Sequence, residues 1–348
     1  MTIIKGMGLL ILTLVLFSIF SLKAPKGQKA MSGLAGAAVA TFLVEAIHKY
    51  IGGNFLNLKF IGEVGSAAGG MSGPAAAILV GLSVGINPIY AVATGAAVAG
   101  TGILPGFIAG YLVSLIAPKL EKKLPEGVNI IFGTLLIAPL ARVIAIGATP
   151  LVDATLLNIG NVISVAAEQS PLVMGFLLGG IMKILCTSPL SSMAVTAMLG
   201  LKGLAMGIAA IACVGGSFTN GIIFKRLKLG DPSNIVAVML EPLTQADIVT
   251  ANALPIYSAD FIGGGLAGLA AAYFKIINNA PGTASPIPGL LAPFGFNPPV
   301  NVLLAIVFAV IGGIVGGMVV SQIFKVFGTK KSCVPEKEEY TELKEKAV

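Results

Sequence analysis

The sequence predicts an all-α polytopic membrane protein: about 8–10 transmembrane helices plus two re-entrant hairpins. Three observations carry this. The 348 residues are 56% hydrophobic and only 11% charged, against roughly 45–50% and about 25% in a soluble domain. Several runs approach or pass the ~20 apolar residues that span a hydrocarbon core. Long apolar–polar alternation, the mark of a β-barrel, is missing. The 45 glycines, with Ala, Ser and Thr filling the apolar runs, suit helices packed closely on one another inside a bilayer.

The elements follow in order. "MTIIKGMGLLILTLVLFSIFSLKAPKG" has one early lysine and an apolar run without a small-residue cleavage site, so it reads as a retained first helix rather than a signal peptide. Apolar stretches place helices at about residues 5–22, 28–50, 67–85, 89–118, 128–147, 170–186, 200–224, 256–276 and 300–327. Residues 51–66, 150–168, 187–199 and 240–255 are too short, too polar or too broken by Gly and Pro to span. In 147–171, Leu151, Leu156, Leu157, Ile159, Val162, Ile163 and Val165 alternate with Asp153, Asn158, Asn161 and Glu168; this is an amphipathic helix at the interface or a connector between two subdomains.

"CTSPLSSMAVTAM" (186–198) and "LEPLTQADIVTANALP" (240–255) each combine a proline with several hydroxyl or amide groups. Non-helical backbone at membrane depth survives only where protein covers it or a watery cavity meets it. Both therefore read as re-entrant hairpins, the kind of broken segment that builds a solute site near the midplane.

The net charge of +7 does not point to nucleic acid. Lys23, Lys26 and Lys29, then Lys119, Lys122 and Lys123, then Lys225, Arg226 and Lys228, and the tail after Lys325 sit at the ends of spans and mark cytoplasmic turns by the positive-inside rule. The mixed-charge tail reads as a solvated end. Cys186, Cys213 and Cys333 are odd in number and widely spaced, so they form neither a disulfide framework nor a metal site. No Walker loop, zinc motif or nucleophile triad appears, and "GGMSGPAAA" (69–77) has Pro74 where a nucleophile elbow needs glycine. The reading includes no catalytic residue, no cofactor and no metal, and leaves enzymatic activity undecided.

Glu241 stands out, because a carboxylate in a membrane segment costs about 2.5–3.5 kcal/mol on insertion scales unless something offsets it. With Thr244 and Gln245 it offers acceptors and donors for a polyhydroxylated solute, the alternative being a helix-capping role. Asp247 and Asp260 flank it, and Thr187, Ser188, Ser191 and Ser192 around Pro189 form a second hydroxyl cluster. Asn297 and Asn301 in "FGFNPPVNV" are candidate ligands or helix caps. His48, the only histidine, reads as an interfacial residue beside Glu45 and Lys49. Arg142 and Lys183 are expected to pair with Asp153 or Glu168, or to snorkel outward.

Ordered landmarks resemble the membrane-embedded C component (EIIC) of bacterial phosphotransferase sugar permeases, closest to the fructose-type branch. "ATGAAVAGTGILPGFIAGYLVSLIAPKLEKKLPEGVNIIFGTLLIAPL" (93–140) looks like that family's Gly-rich span, helix and basic linker. "MKILCTSPLSSMAVTAM" (182–198) falls at its first hairpin, and "EPLTQADIVTANALPIYSADFIGGGLAG" (241–268) at its Glu-led hairpin and Gly-rich helix. "SPIPGLLAPFGFNPPVNVLLAIVFAVIGGIVGG" (285–317) resembles its last loop and span. The chain departs from the pattern at Leu185, Ser191 and Ser192, and around Pro288 and Gly289.

The resemblance implies a homodimer in the bacterial cytoplasmic membrane that moves a sugar-like solute by an elevator shift. It implies scaffold helices in 1–147, an amphipathic connector in 148–170, a transport subdomain in 171–327 and a cytoplasmic tail in 328–348. It makes Glu241 the sugar-binding carboxylate and Pro189 the apex of the first hairpin. Phosphorylation would need separate EIIA and EIIB proteins. The single-domain form is similar to stand-alone EIIC-like proteins related to the perfringolysin regulator. Two other functions stay open at this level: a membrane sensor using the same ligand site, and an ion-coupled transporter outside the phosphotransferase system.

Overall fold

A computed structural model describes residues 2–125, 128–188 and 190–326. The proposed hairpin apex Pro189, the tail at 328–348 and Cys333 lie outside the described residues. Within them every regular element is helical, with no strand. Among the described residues seven helices are long and apolar enough to cross a membrane, or 8 if α3 (Lys59–Gly70) and α4 (Ser72–Val84), which meet at 57°, together make one span.

The first half of the chain winds α1 (Thr2–Lys23) and α2 (Gly27–Ala38), the latter running on through π-helical turns at Val39–Leu43 and Glu45–Phe55. The polar stretch expected to interrupt the chain at 51–66 is thus helical on both sides of a short break. The span expected at 89–118 is two pieces, α5 (Pro88–Ala97) and α6 (Ile103–Glu121). Asn87 caps α5 by accepting from the Ile89 N–H at 2.9 Å, with Pro88 pre-set at the first helical position. α7 (Asn129–Val152) continues through a π-helical turn at Asp153–Leu157 into α8 (Asn158–Gln169). α8 is amphipathic as its sequence suggests: Ile163, Ala166 and Ala167 are buried while Asn158, Asn161 and Glu168 are exposed, as is Asp153 in the turn before it.

The second half carries α9 (Pro171–Thr187), α10 (Ser192–Met198), α11 (Gly203–Leu227), α12 (Pro232–Leu240), α13 (Ala246–Ala251), α14 (Ala253–Tyr273), α15 (Pro286–Leu291) and α16 (Pro299–Val326). α9 and α14 run antiparallel: Gly175 meets Gly268 and Ala272, while Gly180 meets Phe261. A Cβ on Gly268 would overlap the Gly175 carbonyl, so the small residue is what lets the two backbones approach.

That direction fixes how the hairpins enter. α9 ends at Thr187 beside Asp260 in the first half of α14, far from its end at Tyr273, and the chain returns as α10. α12 and α13 lead into the start of α14, so their turn at 241–245 approaches from the opposite side. α12 has nine residues and α13 six, about 14 and 9 Å of helix, too short to cross. The Asp231 side chain caps α12, accepting from the N–H groups of Ser233 at 2.8 Å and Asn234 at 3.0 Å, and Asn234 returns a bond to the Asp231 N–H.

Basic turns gather at one end. Lys26 Nζ donates to the Val84 carbonyl at 2.9 Å, and the Tyr111 hydroxyl donates to the Pro25 carbonyl at 3.0 Å, which brings the first turn beside the end of α4 and the α6 terminus that carries Lys119. Arg226 donates to Gln322, which joins the ends of α11 and α16. One apolar core extends across both halves, from Leu10, Met31, Leu34 and Phe107 to Met174, Leu178, Met206 and Ile211.

Candidate functional site

The two hairpin turns meet deep in the second half. Glu241 ends α12 in an extended conformation and is half-buried. Its N–H still donates to the Ala237 carbonyl at 2.9 Å, and its carbonyl accepts from the Thr244 N–H at 3.1 Å. Thr244 Oγ1 donates to the same carbonyl at 2.8 Å. This leaves the carboxylate as the group presented by the turn. It lies beside the Leu243 N–H and the Ser285 hydroxyl. Burial pushes its pKa up; the Leu243 N–H, the Lys183 ammonium and Ser285 pull the other way without cancelling the rise. Ser285 is 2% exposed and its hydroxyl makes no full hydrogen bond.

Behind the turn is a charged bridge. Lys183 on α9, Asn220 on α11 and Asp260 on α14 are fully buried. Lys183 Nζ donates to Asn220 Oδ1, and Asn220 Nδ2 donates to Asp260 Oδ1 at 2.8 Å. Lys183 and Asp260 themselves are 3.8 Å apart, so the amide relays the pair. Thr187 Oγ1 donates to Asp260 Oδ2 at 2.6 Å, which ties the base of the first hairpin to α14. The stem of Lys183 runs between Gly216 and Gly264, whose positions a methyl group would fill by overlapping it. This overturns the expected partners: Lys183 pairs with Asp260, not with Asp153 at the α7–α8 junction or Glu168 near the end of α8, both exposed. Arg142 caps carbonyls instead, donating to Ala99 at 2.7 Å and Ala97 at 3.3 Å.

The first turn brings the hydroxyl cluster together. Ser188, Ser191 and Ser192 are buried. Ser188 Oγ donates to the Leu185 carbonyl at 3.1 Å, and Ser192 Oγ donates to the Ala284 carbonyl, next to Ser285. Ser191 adopts φ 59 and its hydroxyl accepts from the Ala194 N–H at 3.4 Å. Its left-handed backbone is strained for a residue with a Cβ and is held by the cap. Cys186 and Cys213 are buried free thiols, and Cys213 Sγ lies 4.0 Å from Ser192 Oγ.

The remaining candidates are placed differently. Gln245 accepts from Asn234 at 2.7 Å and donates to Thr244 at 3.2 Å, bracing the second hairpin. Asp247 is exposed in the first turn of α13. Asn297 closes a loop: its Oδ1 accepts from the Ile277 N–H at 2.9 Å, and its Nδ2 donates to Ile277 and Pro293 carbonyls at 2.7 Å. Asn301 is exposed in the first turn of α16. The His48 ring bonds to the Val44 carbonyl at 3.0 Å, while Lys49 pairs with Glu45 at 2.7 Å.

Sequence reading missed Asn220 and Ser285. Asn220 is one amide inside the apolar helix "GSFTNGIIF", a signal in itself at that depth. Ser285 precedes a Pro-led helix, where the pattern suggests a cap and nothing more.

The chain is similar over residues 28–334 to the family model described as "Phosphotransferase system, EIIC". No curated protein matches it.

Proposed function

The chain belongs to the phosphotransferase-system EIIC family, and from that membership, which makes it a membrane sugar-permease component, we propose that it moves a sugar or similar small polar solute by alternating access. The observation that carries the proposal is the convergence of the two opposed hairpin turns on Glu241, Ser285 and the Thr187–Ser192 hydroxyls. A carboxylate accepts two or more hydrogen bonds. Beside it, a buried hydroxyl without a full partner costs about 1–3 kcal/mol until a ligand satisfies it. A vicinal diol answers both requirements: two hydroxyls donate to Glu241, and Ser285 bonds one of the same oxygens.

In this proposal Glu241, Thr187, Ser188, Ser191, Thr244, Gln245 and Asp247 belong to the hairpins that line the solute path, with Asn297 and Asn301 at its rim. Residues 1–147 act as a dimerising scaffold, 148–170 as the connector and 171–327 as the transport subdomain, which shifts as an elevator. The packing that ties α9, α11 and α14 through one buried bridge supports a second half that moves as a body. The basic end carrying Lys26, Lys119 and Arg226 faces the cytoplasm of a bacterium by the positive-inside rule. EIIA and EIIB, on other chains, supply any phosphoryl group there. The fructose-type branch and the stand-alone, perfringolysin-regulator-like subgroup complete the proposal.

The test is a thermal-shift screen of the purified protein against sugars, polyols, their phosphates and small carboxylates, run beside Glu241→Gln. Stabilisation by hydroxylated solutes that disappears in the variant is the expected result. Equal stabilisation of both proteins would refute the role of Glu241.

A further inference from the structure

We propose that Glu241 is an exchangeable proton site whose proton affinity is set by the Lys183–Asn220–Asp260 bridge, so that proton and solute occupy the carboxylate in turn. The inference starts from the charges around the hairpin turns. α9 contributes Lys183 and the Cys186 thiol, both within electrostatic reach of Glu241. α11 contributes Asn220 and the Cys213 thiol, and α14 contributes Asp260 and the phenol of Tyr257. The second turn itself adds only the neutral Thr244 and Gln245, with Asp247 exposed beyond them. The loop before α15 adds Ser285, and α15 carries no charged side chain. α16 has one, Lys325, in its last turn at the basic end.

There are thus two carboxylates to one ammonium. Lys183 is committed first to Asp260 through an amide that bonds both, and this leaves Glu241 only partly compensated in a half-buried site. A carboxylate so placed favours its neutral form. Burial pushes Glu241 upward for the same reason. In the empty site a proton from water forms the O–H bond of the Glu241 carboxylic acid, with the Ser285 hydroxyl standing by as its neighbour. When a hydroxylated solute enters, that O–H bond breaks, the proton returns to water, and the solute hydroxyls donate to both freed oxygens. The exchange half of this inference rests on the proposed solute site; the proton half does not.

The experiment is an infrared titration of the full-length protein in liposomes, following the carbonyl stretch of protonated carboxyl groups without any solute. Wild type is expected to show a carboxyl that titrates above the ordinary carboxylate range, and Glu241→Gln to lack it. Asp260→Asn releases the Lys183 charge toward Glu241 and lowers the midpoint by about one pH unit or more. Lys183→Met raises it. A packing role for the bridge would not move the midpoint in opposite directions. Glu241→Gln is isosteric and at a turn, so its comparison with wild type decides the proton site, and either bridge variant that folds decides the role of the bridge. No Glu241-dependent signal, or an unmoved midpoint in folded Asp260→Asn, would overturn the inference. A normal titration in a protein that no solute stabilises would uphold the proton site while refuting the permease proposal.

Discussion

Removing Asp260 alone should damage the protein far more than removing Asp260 and Lys183 together. Asp260→Leu strands a fully buried ammonium with one neutral partner, Asn220. Breaking a buried pair in this way costs about 3–5 kcal/mol, because the surviving charge has nothing to balance it. The double variant Lys183→Met/Asp260→Leu removes both charges and leaves only the Asn220 amide unsatisfied, about 1–3 kcal/mol. Thr187 keeps its bond to the Ile184 carbonyl at 3.0 Å in either variant. The assay follows from the composition: the chain has no tryptophan, but Cys186 and Cys213 are buried. A thiol-reactive dye therefore reports unfolding as these two become accessible. At roughly 2 °C per kcal/mol the single variant should lower Tm by at least about 6 °C, and the double should recover half or more of the loss. A single variant within about 2 °C of wild type, or a double variant worse than the single, would show that Asp260 is not what balances the buried Lys183 charge.

Three further outcomes are expected. Gly216→Ala drives a methyl group into the stem of Lys183, and because Lys183 is boxed in by Gly264 on its other side the overpacking should cost about 1–3 kcal/mol, read in the same thermal assay. Asp231→Ala removes the acceptor of the Ser233 and Asn234 N–H groups; a loss of about 1 kcal/mol should appear as faster amide exchange confined to α12 and the second turn. The raised pKa of Glu241 fixes the sign of a pH effect. Between the ordinary carboxylate range and the raised value, the folded chain holds a proton that the unfolded chain has lost. Stability should therefore fall as pH rises through that window, and the slope should vanish in Glu241→Gln, as thermal midpoints across a pH series would show.

Much of the fold was legible because the bilayer imposes it. Apolar runs long enough to span must be helices, since no other open structure satisfies the backbone in lipid, and the ends of α1, α9, α11, α14 and α16 fall within a few residues of the apolar runs that announced them. The breaks were legible in kind but not in place. The single span expected at 89–118 divides after Ala97 because "AGTG" cannot hold a helix through two glycines in that setting. The polar residues of 147–171 did not end a helix, because they lie on one face of it and the π-helical turn at Asp153 keeps its apolar face on α1.

The site divides in the same manner. Sequence alone determined that Glu241 needed a reason to be in the membrane, and that 186–198 and 240–255 could not span, because both conclusions follow from transfer energies of single residues and short segments. It could not determine partners. Lys183 and Asp260 are 77 positions apart, and nothing local to either distinguishes Asp260 from Asp153 or Glu168. Only the antiparallel packing of α9 on α14, made possible by facing glycines, brings them to one depth with Asn220 between them. A separate packing, α15 on α11 with Gly289 against Ala210, holds the segment that sets Ser285 near Glu241 across 44 residues. Charge identity is a property of the chain, whereas charge balance is a property of distances, and distances exist only in the folded protein.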